Sequence, residues 1–151
     1  MNRRDIIVGL VILAGLAGLI YYWRQPAQDE DLQVPQTLSV EDEIEDMFNL
    51  QIPEDVDKAE LSDKTGGDAS AIATREFVND KFTHTVLADL PDPEAGSYVA
   101  ELAKDDEIVI TGTLRTAKGG YLLEFQSDQD LNDYKTVRVK LGEEVVLEGS
   151  F

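Results

Sequence analysis

The stretch Phe82-Thr83-His84-Thr85-Val86-Leu87-Ala88-Asp89 decides the fold class. Phe82, His84, Val86 and Ala88 fall on one parity and Thr83, Thr85, Leu87 and Asp89 on the other, the period of a half-buried strand. Immediately upstream, Ala69 to Phe77 reads as a similar run, and Asn79-Asp80 between them is turn chemistry, so the two segments predict a hairpin. Downstream, Tyr98 to Ala103, Ile108 to Leu114, Tyr121 to Gln126, Thr136 to Leu141 and Val145 to Leu147 are short apolar runs separated by Pro, Gly, Asp and Asn clusters. With Ala59 to Leu61 as an edge strand, this spacing predicts an all-β, immunoglobulin-like or Greek-key sandwich of seven or eight strands over residues 58–151. The expected inward set is Phe82, Val86, Leu102, Ile108, Ile110, Leu114, Tyr121, Leu123, Phe125, Val137, Val139, Leu141 and Leu147.

N-terminal to that domain the composition changes twice. Ile6 to Trp23 is an uncharged apolar run of 18 residues, which as a helix spans about 27 Å against a hydrocarbon core of about 30 Å. Tyr21, Tyr22 and Trp23 place an aromatic belt at its far end, and no small-x-small cleavage site follows, so residues 6–23 predict a retained transmembrane helix in the lipid bilayer. Arg3 and Arg4 precede it and acidic residues follow, so the positive-inside rule leaves residues 1–5 as a cytoplasmic tip and places the rest of this single-pass chain outside the cell membrane. From Gln25 to Asp63 there are thirteen Asp and Glu against Lys58 alone, which predicts an extended acidic stalk over residues 24–57. Within it, Ser39 followed by Glu41, Asp42 and Glu43 reads as a helix N-terminus. Val40, Ile44, Met47 and Phe48 then share one face of a short helix near 40–49, which is either packed on its own domain or merely transient, the reading favoured here, or docks in the groove of a partner.

Composition excludes several function classes. The chain has no cysteine and one histidine, which removes disulfides, thiolate chemistry and multi-histidine metal sites. A formal charge of -18 opposes binding to nucleic acid, where basic side chains must neutralise phosphates. No phosphate-loop or nucleophile-elbow pattern occurs, Gly119-Gly120 fits a hairpin turn, and no cofactor is implied. His84 shares the parity of Phe82 and Val86, which reads as a packed, hydrogen-bonded side chain. The one metal candidate is Asp128, Asp130, Asn132 and Asp133, whose alternating oxygens resemble the first half of a calcium loop. Asp133 stands where that loop wants glycine and Val139 where it wants glutamate, so a solvated turn is the preferred reading.

The phrases Gly66-Gly67-Asp68-Ala69-Ser70-Ala71-Ile72-Ala73-Thr74-Arg75, Phe82 to Pro93, Tyr121 to Asp128 and Val146 to Phe151 resemble small single-pass proteins of candidate-phylum bacteria. The extracytoplasmic domain of that group is similar to the C-terminal sandwich of anti-sigma-K factors. Where those domains carry Tyr-x-x-Trp-Leu, this chain has Tyr98-Val99-Ala100-Glu101-Leu102. The resemblance implies a sandwich and brings no activity. A sigma factor would have to be held in the cytoplasm, where only residues 1–5 are expected, so the chain acting alone is not expected to fill that role. Two functions are favoured, a non-catalytic membrane-anchored binding module with a protein partner at the cell envelope, or a sensor or regulatory subunit acting through another membrane protein; a cell-surface hydrolase ranks third for want of an assembled acid, base and nucleophile.

Overall fold

The computed structural model describes residues 39–151, which lie in one compact unit, Leu38–Phe151. The expected cytoplasmic tip, the membrane span at residues 6–23 and the stalk up to residue 38 lie outside the described residues. Among the described residues no helix is long and apolar enough to cross a membrane.

The domain is mostly β. A short helix, α1 (Val40–Phe48), precedes nine strands: β1 (Asp57–Asp63), β2 (Ser70–Val78), β3 (Lys81–Asp89), β4 (Tyr98–Lys104), β5 (Glu107–Thr113), β6 (Arg115–Ala117), β7 (Gly120–Ser127), β8 (Thr136–Leu141) and β9 (Glu144–Ser150). All pair antiparallel in one sheet of order β5-β4-β8-β9-β1-β2-β3-β7-β6. Only Leu114 separates β5 from β6, yet β5 pairs with β4 at one end of this order and β6 with β7 at the other. Residues 107–117 therefore draw the two ends of the sheet together, and the N–H of Leu114 donates to Tyr98 O at 2.9 Å at the junction. Near-closure of this kind shortens the exposed edges on which unpaired backbone groups would invite association.

Eight of the nine strands fall where alternation predicts them, and β6 is the addition. The predicted hairpin is present: Val78 pairs with Lys81 across Asn79 and Asp80, whose φ angles of 53° and 58° are the paired positive values a two-residue type I′ turn needs. Residues Ala59 to Leu61, expected at an edge, instead lie inside β1 at the centre of the sheet, between β9 and β2. Gly149 explains how β9 approaches so closely there, because a Cβ at that position would stand 2.2 Å from Glu60 O.

The interior of the nearly closed sheet holds Phe82, Val86, Leu102, Leu114, Tyr121, Leu123, Val137, Val139 and Leu147, all expected inside, with Phe125 and Leu141 half-buried against them. Ile108 and Ile110 correct the expectation: they are 54% and 67% exposed. The cause is a β-bulge. Gly112 pairs with Ala100 on the inward parity, but the register then slips past Thr111, so Ile110 pairs with Glu101 and Ile108 with Ala103 on the outer face. Val109, opposite the buried Leu102, takes the inward place between them.

The helix packs against the outside of the sheet. Ser39 Oγ accepts from Asp42 N at 3.1 Å while Asp42 Oδ2 accepts from Ser39 N at 3.2 Å, closing a capping box. Asn49, in the left-handed region at φ 48°, ends it. Nine residues make a marginal helix in water. Burial of Ile44 and Phe48 on Ile72 and Leu87, the outward residues of β2 and β3, supplies about 1.5–3 kcal/mol per side chain. The acids from Glu41 onward thus ride on the folded unit rather than on a free stalk. Gly120 makes the approach possible: a Cβ there would stand 2.6 Å from Ala88 O and 2.8 Å from Phe48 Cζ.

Candidate functional site

The acidic loop between β7 and β8 does not gather its oxygens. Asp128 accepts from Lys81 Nζ at 3.1 Å and Asp133 from Lys104 Nζ at 3.0 Å, on two different strands. Asp130 Oδ1 accepts from the N–H of Asn132 at 2.9 Å, the Asx turn the composition favours. The ion pair with Lys104 holds the Asp133 carboxyl below the usual carboxylate range. Leu131, buried in the core, pins the loop between these divergent carboxylates. Among the described residues no three His, Cys, Asp or Glu side chains are grouped to hold a metal ion. Asp92, in the proline loop, is likewise committed, accepting from Tyr121 OH at 2.7 Å beside the edge-to-face pair of Tyr98 and Tyr121.

His84 is fully buried inside the sheet, as its parity predicts. Its Nδ1 lies 3.0 Å from Thr74 O, so that nitrogen carries the proton and donates, and Nε2 is left buried with no partner. Phe82 and Phe151 flank the ring. Burial pushes its pKa down to about 4, opposed by the Thr74 carbonyl and reinforced by Arg75. Among the described residues the ring thus has no hydroxyl, thiol or carboxylate hydrogen-bonded to it that would make it part of a nucleophile or acid–base pair.

Arg75 is the most deeply buried of three polar residues, with Glu101 and Thr111, that sequence reasoning passed over. It pairs with His84 across β2 and β3, donates Nη1 to Tyr134 O at 2.7 Å, meets Asp57 Oδ2 at 3.3 Å through Nε and Nη2, and lies 4.0 Å over the Phe151 ring. The signal was available, since Ala71, Ala73, Arg75 and Phe77 share one parity and an arginine on an inward parity must find buried partners.

An open, mainly apolar cavity lies under the segment joining α1 to β1. Leu50 to Pro53 crosses the outer face of β2, β3 and β7 like a strap and borders an open recess of about 330 Å³. Phe48, Ile52, Leu87, Ala117 and Leu122 give it apolar walls, while Thr74 and Thr85 on β2 and β3 contribute hydroxyls. This volume lies at the small end of ordinary ligand pockets. Two fastenings hold the strap. Glu45 in α1 accepts from the N–H of Ile52 at 2.6 Å, a charge-assisted bond, and Lys118 in the β6–β7 turn donates to Phe48 O at 2.6 Å. The second supplies the cation at the helix C-terminus that the last turn of α1 itself lacks.

On the other side of the strap a second cavity, of about 520 Å³, is lined by Glu41, Asp42, Glu45 and Glu54 and shares Gln51, Ile52 and Pro53 with the first. Lys58 pairs with Glu41 and leaves the surrounding carboxylates in excess. The sequence placed the apolar stripe of α1 but not this groove, which arises only when the strap and the outward residues of three strands come together. Comparison with protein-family models, curated proteins and solved structures gives no match for the chain.

Proposed function

We propose that this chain is a membrane-anchored extracytoplasmic binding module, without catalysis, that holds a protein partner through the apolar groove beneath the 50–53 strap. The observation that carries the reading is the groove itself: an apolar recess on the outer face of a sheet whose own interior is already filled. Strands β2, β3 and β7 and a capped helix supply much of its wall, and two hydrogen bonds fasten the strap that completes it, which lowers the ordering cost of binding. The site candidates outside it are committed elsewhere, Asp128 and Asp133 to lysines and Asp92 to Tyr121, while His84 is buried singly, and no acid, base and nucleophile converge among the described residues. The anchor at residues 6–23, read from the sequence, would present the groove outside the cell membrane.

Within this reading, the two opposed parts of the nearly closed sheet act as the layers of an immunoglobulin-like or Greek-key sandwich. Support comes from the packing of Ala100, Leu102 and Val137 of β4 and β8 with Phe82, Val86 and Leu123 of β3 and β7 in one core.

A benzophenone side chain introduced at the exposed Gln51 in the full-length chain tests the reading in membranes. Irradiation is expected to give a discrete protein adduct that a bulky substitution in the groove, Ala117→Trp, abolishes. Adducts unchanged by that substitution, or indistinguishable from those formed by the same group placed at the exposed Asp68 in the β1–β2 loop, outside the groove lining, would overturn it.

A further inference from the structure

We infer that the occupant of the groove is a partner segment in which a large apolar side chain is flanked by lysine or arginine. The inference rests on the groove being the contact surface and adds the chemistry of what it accepts. The apolar walls specify one half of that chemistry, since Phe48, Ile52, Leu87 and Leu122 offer a side chain dispersion contact and removal from water. Charge specifies the other half. The strap that roofs the groove is bordered on its far side by Glu41, Asp42, Glu45 and Glu54, and near the helix end by Asp46.

Of the nearby cations, Lys58 is paired with Glu41 and Arg115 with Glu124 at 2.7 Å, while Lys118, which lines the groove and donates to the Phe48 carbonyl, keeps its charge and is outnumbered by the acids bordering the strap. Among the described residues no ion pair involves Asp42, Asp46, Glu54 or Asp55, all exposed. An apolar slot in such a rim attracts a cationic segment and repels an anionic one, because like charges brought to a desolvated rim cost free energy. Like-charge repulsion equally disfavours a second copy of this chain, at a formal charge of -18, and the phosphates of a lipid surface.

The test uses the full-length chain in nanodiscs of zwitterionic phosphatidylcholine and three peptide probes. One has a central Leu-Phe flanked by two lysines on each side, one replaces the lysines with glutamates, and one keeps the lysines but replaces Leu-Phe with Ser-Ser. Titration followed by calorimetry and by amide shifts is expected to show saturable binding of the first alone, with shifts centred on Phe48, Ile52 and Leu122. The glutamate probe is expected to bind at least about tenfold more weakly. Ala117→Trp should abolish binding. Glu54→Lys with Asp46→Lys, both at exposed positions and so compatible with folding, should weaken it and flatten its dependence on salt.

Equal binding of the Ser-Ser probe would mean diffuse charge attraction and would overturn the inference. Equal binding of the glutamate probe would overturn it as well, while leaving an apolar contact surface in place. Failure of every probe while the Gln51 cross-link still captures a protein would discard the cationic chemistry alone; failure of both would discard the binding-module reading with it.

Discussion

His84 is the chain's one histidine, so its titration stands apart from every other group. In the unfolded chain it takes up a proton near the ordinary value of 6.5, and in the folded domain only near about 4. Between those values the unfolded state binds the extra proton, and stability falls as pH falls; above 6.5 both states are neutral and the effect vanishes. Over the whole window the loss is roughly 3 kcal/mol, at about 1.4 kcal/mol per pH unit. Asp63, Asp133 and Glu148, held low chiefly by Thr65, Lys104 and Arg138, add their own losses only in more acid solution. Denaturant unfolding at pH 7 and 5.5 should therefore show a drop of about 1 kcal/mol that His84→Phe removes. An equal drop in the variant would assign the effect elsewhere. Gly120 offers a second test at this scale. Its missing Cβ admits Phe48 and Ala88 O, so Gly120→Ala is expected to destabilise by about 1–3 kcal/mol, and a loss confined to the amide protection of α1 would show that the helix had lifted off the sheet.

At the scale of elements, the helix and strand β5 make contrasting predictions. Ser39→Ala removes one half of the capping box and is expected to cost about 1 kcal/mol in global unfolding, because α1 folds with the sheet it covers. A change limited to helix fraying would mean that α1 is not part of the cooperative unit. For β5, Ile110→Lys should leave the melting temperature nearly unchanged, within about 0.5 kcal/mol, since its side chain is in solvent; a loss of several kcal/mol would restore the inward reading. That strand also marks the boundary of what periodicity can tell. Along β3 alternation located Phe82, His84, Val86 and Ala88 correctly because nothing interrupts the ladder, and the Asn79-Asp80 turn was legible because few residues adopt positive φ without strain. In β5 one bulged residue, Thr111, inverts the face of everything before it, and a bulge leaves no fixed mark in composition. The position of β1 at the sheet's centre was hidden for another reason: strand order depends on which distant segments pair, and Lys58 to Asp63 looks peripheral on polarity alone. Of the candidate site, the apolar stripe of α1 was readable, whereas its enclosure by Ala117, Leu122 and the strap is a product of tertiary placement.

For the molecule as a whole, the dominant electrostatic fact is a formal charge of -18 on 151 residues. Self-repulsion of that size opposes compaction, so any mobile cation that screens it stabilises the fold, and stabilisation by salt does not reveal a binding site. A calcium site would behave differently, saturating at a fixed stoichiometry because several oxygens converge on one ion. Asp128, Asp130 and Asp133 are turned toward Lys81, the Asn132 N–H and Lys104, and gathering them around calcium would require breaking two ion pairs and an Asx turn. Both pairs are exposed and individually weak, so the opposing cost is mainly the loss of the turn and the mutual repulsion of carboxylates drawn together. Calcium, magnesium and sodium at matched ionic strength are accordingly expected to raise the melting temperature of the full-length chain by similar increments, and Asp128→Ala with Asp130→Ala should leave those increments unchanged. Calorimetry showing one saturable calcium per chain, lost in that double variant, would instead establish that the β7–β8 loop rearranges into a metal site and that the charge of the domain is neutralised locally rather than diffusely.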